Sequence, residues 1–171
     1  TYTAAMIIAR LQAIVGREVD PADFAVVTVA SMHAGTTNNI IPGEAELVLN
    51  CRFYSDRVKA KVYSAIKRVV HAEVLASGSL DQAMISFFAH GELLDNDEEV
   101  FTRVREQFDG VFGDASVTAD PKTVSEDFPV IGQAYGAPYF FWLVGCTPHD
   151  VWDKAVEEDR VGEDVPVNHM S

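Results

Sequence analysis

His33, Asn39 and Arg52 are spaced to grip a carboxylate. Amide and guanidinium groups near strand ends can grip such a group, an arginine through two parallel hydrogen bonds. The bland alternative is a turn in which Asn38 or Asn39 bonds its own backbone while Arg52 is solvated on a sheet face. Further along, Ser125-Glu126-Asp127 sets two carboxylates side by side. They suit a place beside a metal ion or the role of a general base. Equally, they suit a helix N-terminus with Ser125 as its cap and acids in the first turn. His169 follows Pro166-Val167-Asn168. A neutral imidazole is a good ligand for zinc, manganese or nickel, but a site needs three or four ligands, and an incidental exposed histidine is the commoner case. His149-Asp150 reads as a solvated loop, and His71 and His90 as structural. There is no Gly-x-Ser-x-Gly elbow, phosphate-cradling glycine loop or dinucleotide fingerprint.

These residues need elements to hold them. Residues 27–53 read as strand, polar loop and strand. In the second strand Leu47, Leu49, Cys51 and Phe53 share one face, with Glu46, Val48, Asn50 and Arg52 on the other. The loop between them is longer than a hairpin needs, and such loops often carry binding groups. A helix is expected over 2–15, stopped at Gly16, and a second after Ser55-Asp56, with Val58, Val62, Ile66, Val69 and Val70 as its buried stripe. A strand over 82–89 completes helix–strand–strand–helix–strand, a ferredoxin-like βαββαβ unit whose first strand is missing. Apolar periodicity stops near residues 90–96, which divides the chain into 1–88 and 89–171. The second part is expected to hold a helix capped by Asp95 or Asn96, with Val100, Phe101, Val104, Phe108, Val111 and Phe112 toward its core. A short strand over 115–119 and a strand over 138–145 buried on both faces follow. Residues 146–165 read as an acidic, irregular surface loop. The fold class is therefore α+β.

Acidic residues outnumber basic ones 26 to 13, for a formal charge of −13. That surface repels phosphate backbones, so no nucleic-acid partner is expected, and no apolar run approaches the roughly 20 residues of a membrane span. Cys51 and Cys146 both fall in apolar runs and read as buried free thiols of a reducing cytoplasm. The opening Thr1-Tyr2-Thr3 and the close at His169-Met170-Ser171 suggest a piece of a longer chain.

Taken in order, His33-Ala34-Gly35-Thr36, Asn39-Ile40-Ile41-Pro42, Glu44-Ala45-Glu46-Leu47, Arg52, Ser125-Glu126-Asp127-Phe128, Phe140-Phe141-x-Leu143-x-Gly145 and Asn168-His169 resemble a known family. It is that of metal-dependent amidohydrolases of the aminoacylase–carboxypeptidase type, including hippurate, N-acyl-amino-acid and indoleacetyl-amino-acid hydrolases. The resemblance implies that 1–88 is a lid or dimerisation domain and 89–171 the C-terminal portion of a catalytic α/β domain. It implies two divalent ions (zinc, manganese or nickel) in the intact protein, which activate a water for attack on the amide of an N-acyl amino acid. His169 would be a metal ligand, with Glu126 and Asp127 near the site. Asn39, His33 and Arg52 would contact substrate, and a homodimer would form through the lid. The family's amino-terminal ligand motifs are not found, so this stretch alone is expected to be inactive and could hold no metal. The alternatives are a non-enzymatic α+β dimerisation module and a dipeptidase or carboxypeptidase of the same family.

Overall fold

The computed structural model describes residues 1–79 and 81–166. They form two compact units, Thr1–Asp95 with Asp120–Ala137, and Asn96–Ala119 with the stretch from Pro138 onward. The first unit contains α1 (Tyr2–Glu18), β1 (Ala25–His33), β2 (Glu46–Phe53), α2 (Asp56–Ala76) and, after residue 120, α4 (Phe128–Tyr135). The second contains α3 (Glu98–Phe112), α5 (His149–Glu157) and α6 (Val161–Asp164). The fold is α+β, as expected.

In the first unit, apolar spacing creates the core. Ala4, Ile7, Leu11 and Ile14 recur on one face of α1, and Val58, Val62, Ile66 and Val69 on one face of α2. The helix runs through Gly16, which was expected to stop it, and ends at Glu18. The Ser55 hydroxyl caps α2 by accepting from the Val58 amide at 3.3 Å. Removing each such aliphatic side chain from water contributes about 1.5–3 kcal/mol. Ion pairs join the helices to their surroundings: Arg10 with Glu73, Arg68 with Glu18 at 2.5 Å and Arg57 with Asp23 at 2.6 Å.

The strands β1 and β2 pair antiparallel, and Ala25, Val27, Val29, Leu47, Leu49, Cys51 and Phe53 pack against the helical core. One irregularity matters. Val29 pairs with Leu49 but Ser31 pairs with Val48, which makes Ala30 the extra residue of a β-bulge. An extra residue inverts which face each later side chain takes. His33, opposite Glu46, is thereby placed on the outer face instead of the helix-covered face shared by Val27 and Val29.

No third strand is found among the described residues. Residues 82–89, expected as a strand, pair with no strand among the described residues, and side chains anchor them instead. Phe87 stacks on Tyr63 of α2 with ring centroids 4.3 Å apart, and the Lys67 ammonium lies 5.2 Å from the Phe87 ring centre. A strand exists only by pairing, and no partner strand for it lies among the described residues.

In the second unit, Asp97 rather than Asp95 or Asn96 caps α3, accepting from the Val100 amide at 2.9 Å. Phe101 and Phe108 pack on Phe140, and Phe108 also on Trp142, at ring distances of 5.6–6.5 Å. Val111 and Phe112, expected in the core, are exposed. The run over 138–145 is not a strand buried on both faces: Trp142, Leu143 and Val144 are exposed. It does acquire ladder-like bonds, since the Asn96 side chain accepts from the Phe141 amide at 2.8 Å and donates to the Phe141 carbonyl at 3.0 Å. Residues 115–119 also lack a strand.

The acidic stretch is not irregular. It forms α5 and α6, with Asp150 in the first turn of α5, Lys154 in its last, and Arg160 paired with Asp164 at 2.9 Å. These charges complement the helix ends and each other, which a reading of net acidity overlooks. No helix among the described residues is long and apolar enough to cross a membrane.

Candidate functional site

The polar loop between β1 and β2 is held by a close backbone approach. Gly35 has φ +69°, and a Cβ added there would lie 2.5 Å from Pro42 Cγ. Glycine alone fits this contact without displacing the proline. Asn38 and Asn39 form the turn at the tip, and both are exposed. Ile40 and Ile41 beside them are exposed too. His33 stands at the base of the same loop on the outer sheet face, so His33 and Asn39 share one end of the sheet.

Arg52 is at the other end. It pairs with Val26, seven residues before His33, which is roughly 20 Å along the strand at about 3.3 Å per residue. Its guanidinium donates to Asn50 Oδ1 at 3.2 Å and to the Thr123 carbonyl. Tyr54, two residues on, donates its hydroxyl to the Pro121 carbonyl at 3.1 Å, and its ring stacks on Phe24 at 4.1 Å. The segment so held continues into Glu126, half-buried, and Asp127, exposed. Asp127, not Ser125, occupies the cap position of α4, although no side-chain cap bond forms there. Its carbonyl accepts from the Val130 amide at 3.1 Å.

The predicted residues thus fall into two sets within this chain: His33 with Asn39, and Arg52 with the segment carrying Glu126 and Asp127. The three-residue carboxylate grip is not assembled. His169 lies outside the described residues. Among the described residues, no three His, Cys, Asp or Glu side chains converge as a metal site would require, so these residues do not by themselves fit a two-ion centre. His149 and Asp150 open α5 instead of lying in a loop, and both are exposed.

Sequence reasoning missed Tyr54. The available signal was its position just after the second strand, two residues from Arg52. The two cysteines, expected as buried free thiols, are not both buried. Cys51 is half-buried on the core side of β2, and burial raises its pKa, whereas Cys146 is exposed. Burial, followed by the charge of Cys51, also raises that of Tyr63. A low-pKa nucleophile needs the opposite environment, so Cys51 is a packing residue.

Comparison with known proteins supplies the class. Residues 1–76 match the peptidase dimerisation domain of the M20 type. That part of the chain is such a domain, in agreement with the resemblance to the metal-dependent amidohydrolase and peptidase family. Over 148 residues, 85% of this chain, it is 31% identical to N-acetyldiaminopimelate deacetylase of Streptococcus suis and covers 38% of that protein. It is 29% identical to N-acetylcysteine deacetylase of Bacillus subtilis over 87% of this chain and 38% of that one. Among solved structures, a dinuclear metal-binding peptidase of the M20 family from Bacillus subtilis superposes with TM-score 0.64 at 26% identity, over 82% of this chain and 34% of that one. The chain therefore spans 38% of the length of the curated relatives named here.

Proposed function

We propose that the protein to which this chain belongs is a metal-dependent amidohydrolase that cleaves the amide bond of N-acyl amino acids or similar small amides. The observation that carries the reading is the 148-residue similarity to an N-acetyldiaminopimelate deacetylase, which runs through both the dimerisation domain and the Glu126-Asp127 segment. Two divalent ions go with it, as in the solved relative described as dinuclear. They supply an activated water and a polarised carbonyl when bound. His169 is proposed as one ligand, Glu126 and Asp127 as groups near the site. Residues 1–88 serve as the lid and dimerisation domain, and 89–171 as the C-terminal portion of the catalytic domain.

Asn39 is proposed to contact substrate, with His33 beside it at the base of the loop. An amide can donate to a carboxylate or to an acyl oxygen, and a loop fixed by Gly35 and Pro42 presents it at low entropic cost. A homodimer through 1–76 and a cytoplasmic location belong to the same reading. The 171-residue chain by itself is proposed to be inactive.

The test is Asn39→Ala in the longest reading frame that contains this chain. Loss of one buried polar contact to substrate is expected to lower kcat/KM about 10- to 100-fold, with the melting temperature unchanged. Unchanged kcat/KM for every N-acyl amino acid that the parent enzyme hydrolyses would remove Asn39 from the site.

A further inference from the structure

We propose that Arg52 and Tyr54 form a latch that sets the position of residues 121–127 against the end of β2. Arg52 then acts as a positioning residue and not as a ligand for a substrate carboxylate. The geometry points to this through matched spacing. Arg52 lies next to the end of β2 and Tyr54 just beyond it, two residues apart, as are the carbonyls of Thr123 and Pro121 that accept from them. Two donors at this spacing therefore meet two acceptors at the same spacing, which fixes the segment at two points instead of one.

Each donor is itself fixed. Asn50 Oδ1 accepts from Arg52 Nε at 3.2 Å, which orients the guanidinium, and Phe24 stacks on the Tyr54 ring at 4.1 Å. A third point lies two residues further, where the Gly91 backbone passes Ser125: a Cβ built at 91 would lie 3.4 Å from Ser125 Cβ. Residues 121 and 123 are thus each held, and 125 lies close to the Gly91 backbone, directly before Glu126 and Asp127. A guanidinium already committed to Asn50 and Thr123 has fewer donors left for a bidentate grip on a ligand. That Glu126 and Asp127 serve amide hydrolysis rests on the function proposed above; the latch does not.

Lys122 lies between the two held carbonyls, so trypsin reports on the latch directly. Cleavage of the Lys122–Thr123 bond requires local opening, and its rate follows the open population. In the full chain, Tyr54→Phe and Arg52→Ala are each expected to speed this cut about fivefold, the factor that corresponds to one net hydrogen bond of about 1 kcal/mol. Arg52→Lys keeps one donor and should recover most of the protection. Cleavage after Lys154 in α5 should keep its rate in all three variants. A wild-type rate at Lys122 in both Tyr54→Phe and Arg52→Ala overturns the proposal. So does equal acceleration at Lys122 and Lys154, which marks general loosening. Tyr54→Phe retains the stacked ring and carries the test if Arg52→Ala fails to fold. No turnover is measured, so an inactive chain leaves the result readable.

Discussion

A single absent Cβ shapes the polar loop. Gly35 must meet Pro42 at a distance that no side chain permits, and its positive φ adds a second reason for glycine. Gly35→Ala is expected to cost about 1–3 kcal/mol, through strain and displacement of the proline. Gly43→Ala, with nothing within 4 Å of an added Cβ and an ordinary φ, serves as the control and should change little. Thermal melts of the two variants decide the matter, and equal melting temperatures would contradict the packing described. At this scale the sequence was partly legible. The loop, its polarity and its two asparagines could be read from residue types, and so could the outward face of Arg52. The Gly35–Pro42 approach could not, since it joins residues seven apart. Nor could the bulge at Ala30, which has no residue-type signature and decides the face of His33.

Among the elements, what sequence reasoning recovered was whatever local chemistry determines. The helices α1 and α2, their apolar stripes and the Ser55 cap follow from spacing and capping alone. Strands over 82–89, 115–119 and 138–145 did not form, because a strand depends on a partner that residue types do not reveal. The acidic stretch went the other way: its helices rest on the placement of charges, not on their sum. The end of α3 offers a check on electrostatics. The Ser116 hydrogen bond and the Arg105 guanidinium, 2.6 Å away, hold the Asp109 pKa below its usual 3.8. A carboxylate with a lowered folded pKa contributes its stabilisation above the unfolded value, and loses it as pH falls through the folded one. The clip is therefore intact at neutral pH and released only below about pH 3.8. An NMR titration of the Asp109 carboxyl should show a midpoint below 3.8, and one at or above 3.8 would contradict this pairing.

For the whole molecule, the first unit carries the dimerisation domain and the second carries exposed apolar residues around α3 and Trp142. Among the described residues no third strand covers either edge of the two-stranded sheet, a feature that favours association. Sedimentation of the chain is expected to give twice its mass of 18.7 kDa, with 18.7 kDa at all concentrations counting against dimerisation. The residues proposed near a metal were the least legible part: His169 lies outside the described residues, and no three metal-ligating side chains converge among the described ones. Order and spacing of short motifs pointed to the family before any geometry did, because such motifs survive where local folding rules say nothing about substrate.

Amide hydrolysis is the property on which the proposed function depends. The most direct measurement is amino-acid release from a panel of N-acetyl amino acids by the longest reading frame containing this chain, with added zinc, manganese or nickel and with a chelator. Release that requires one of these metals and stops with the chelator is the predicted result. No release from any substrate with every metal, by a folded dimer, would contradict the hydrolase reading and leave a dimerisation module in its place.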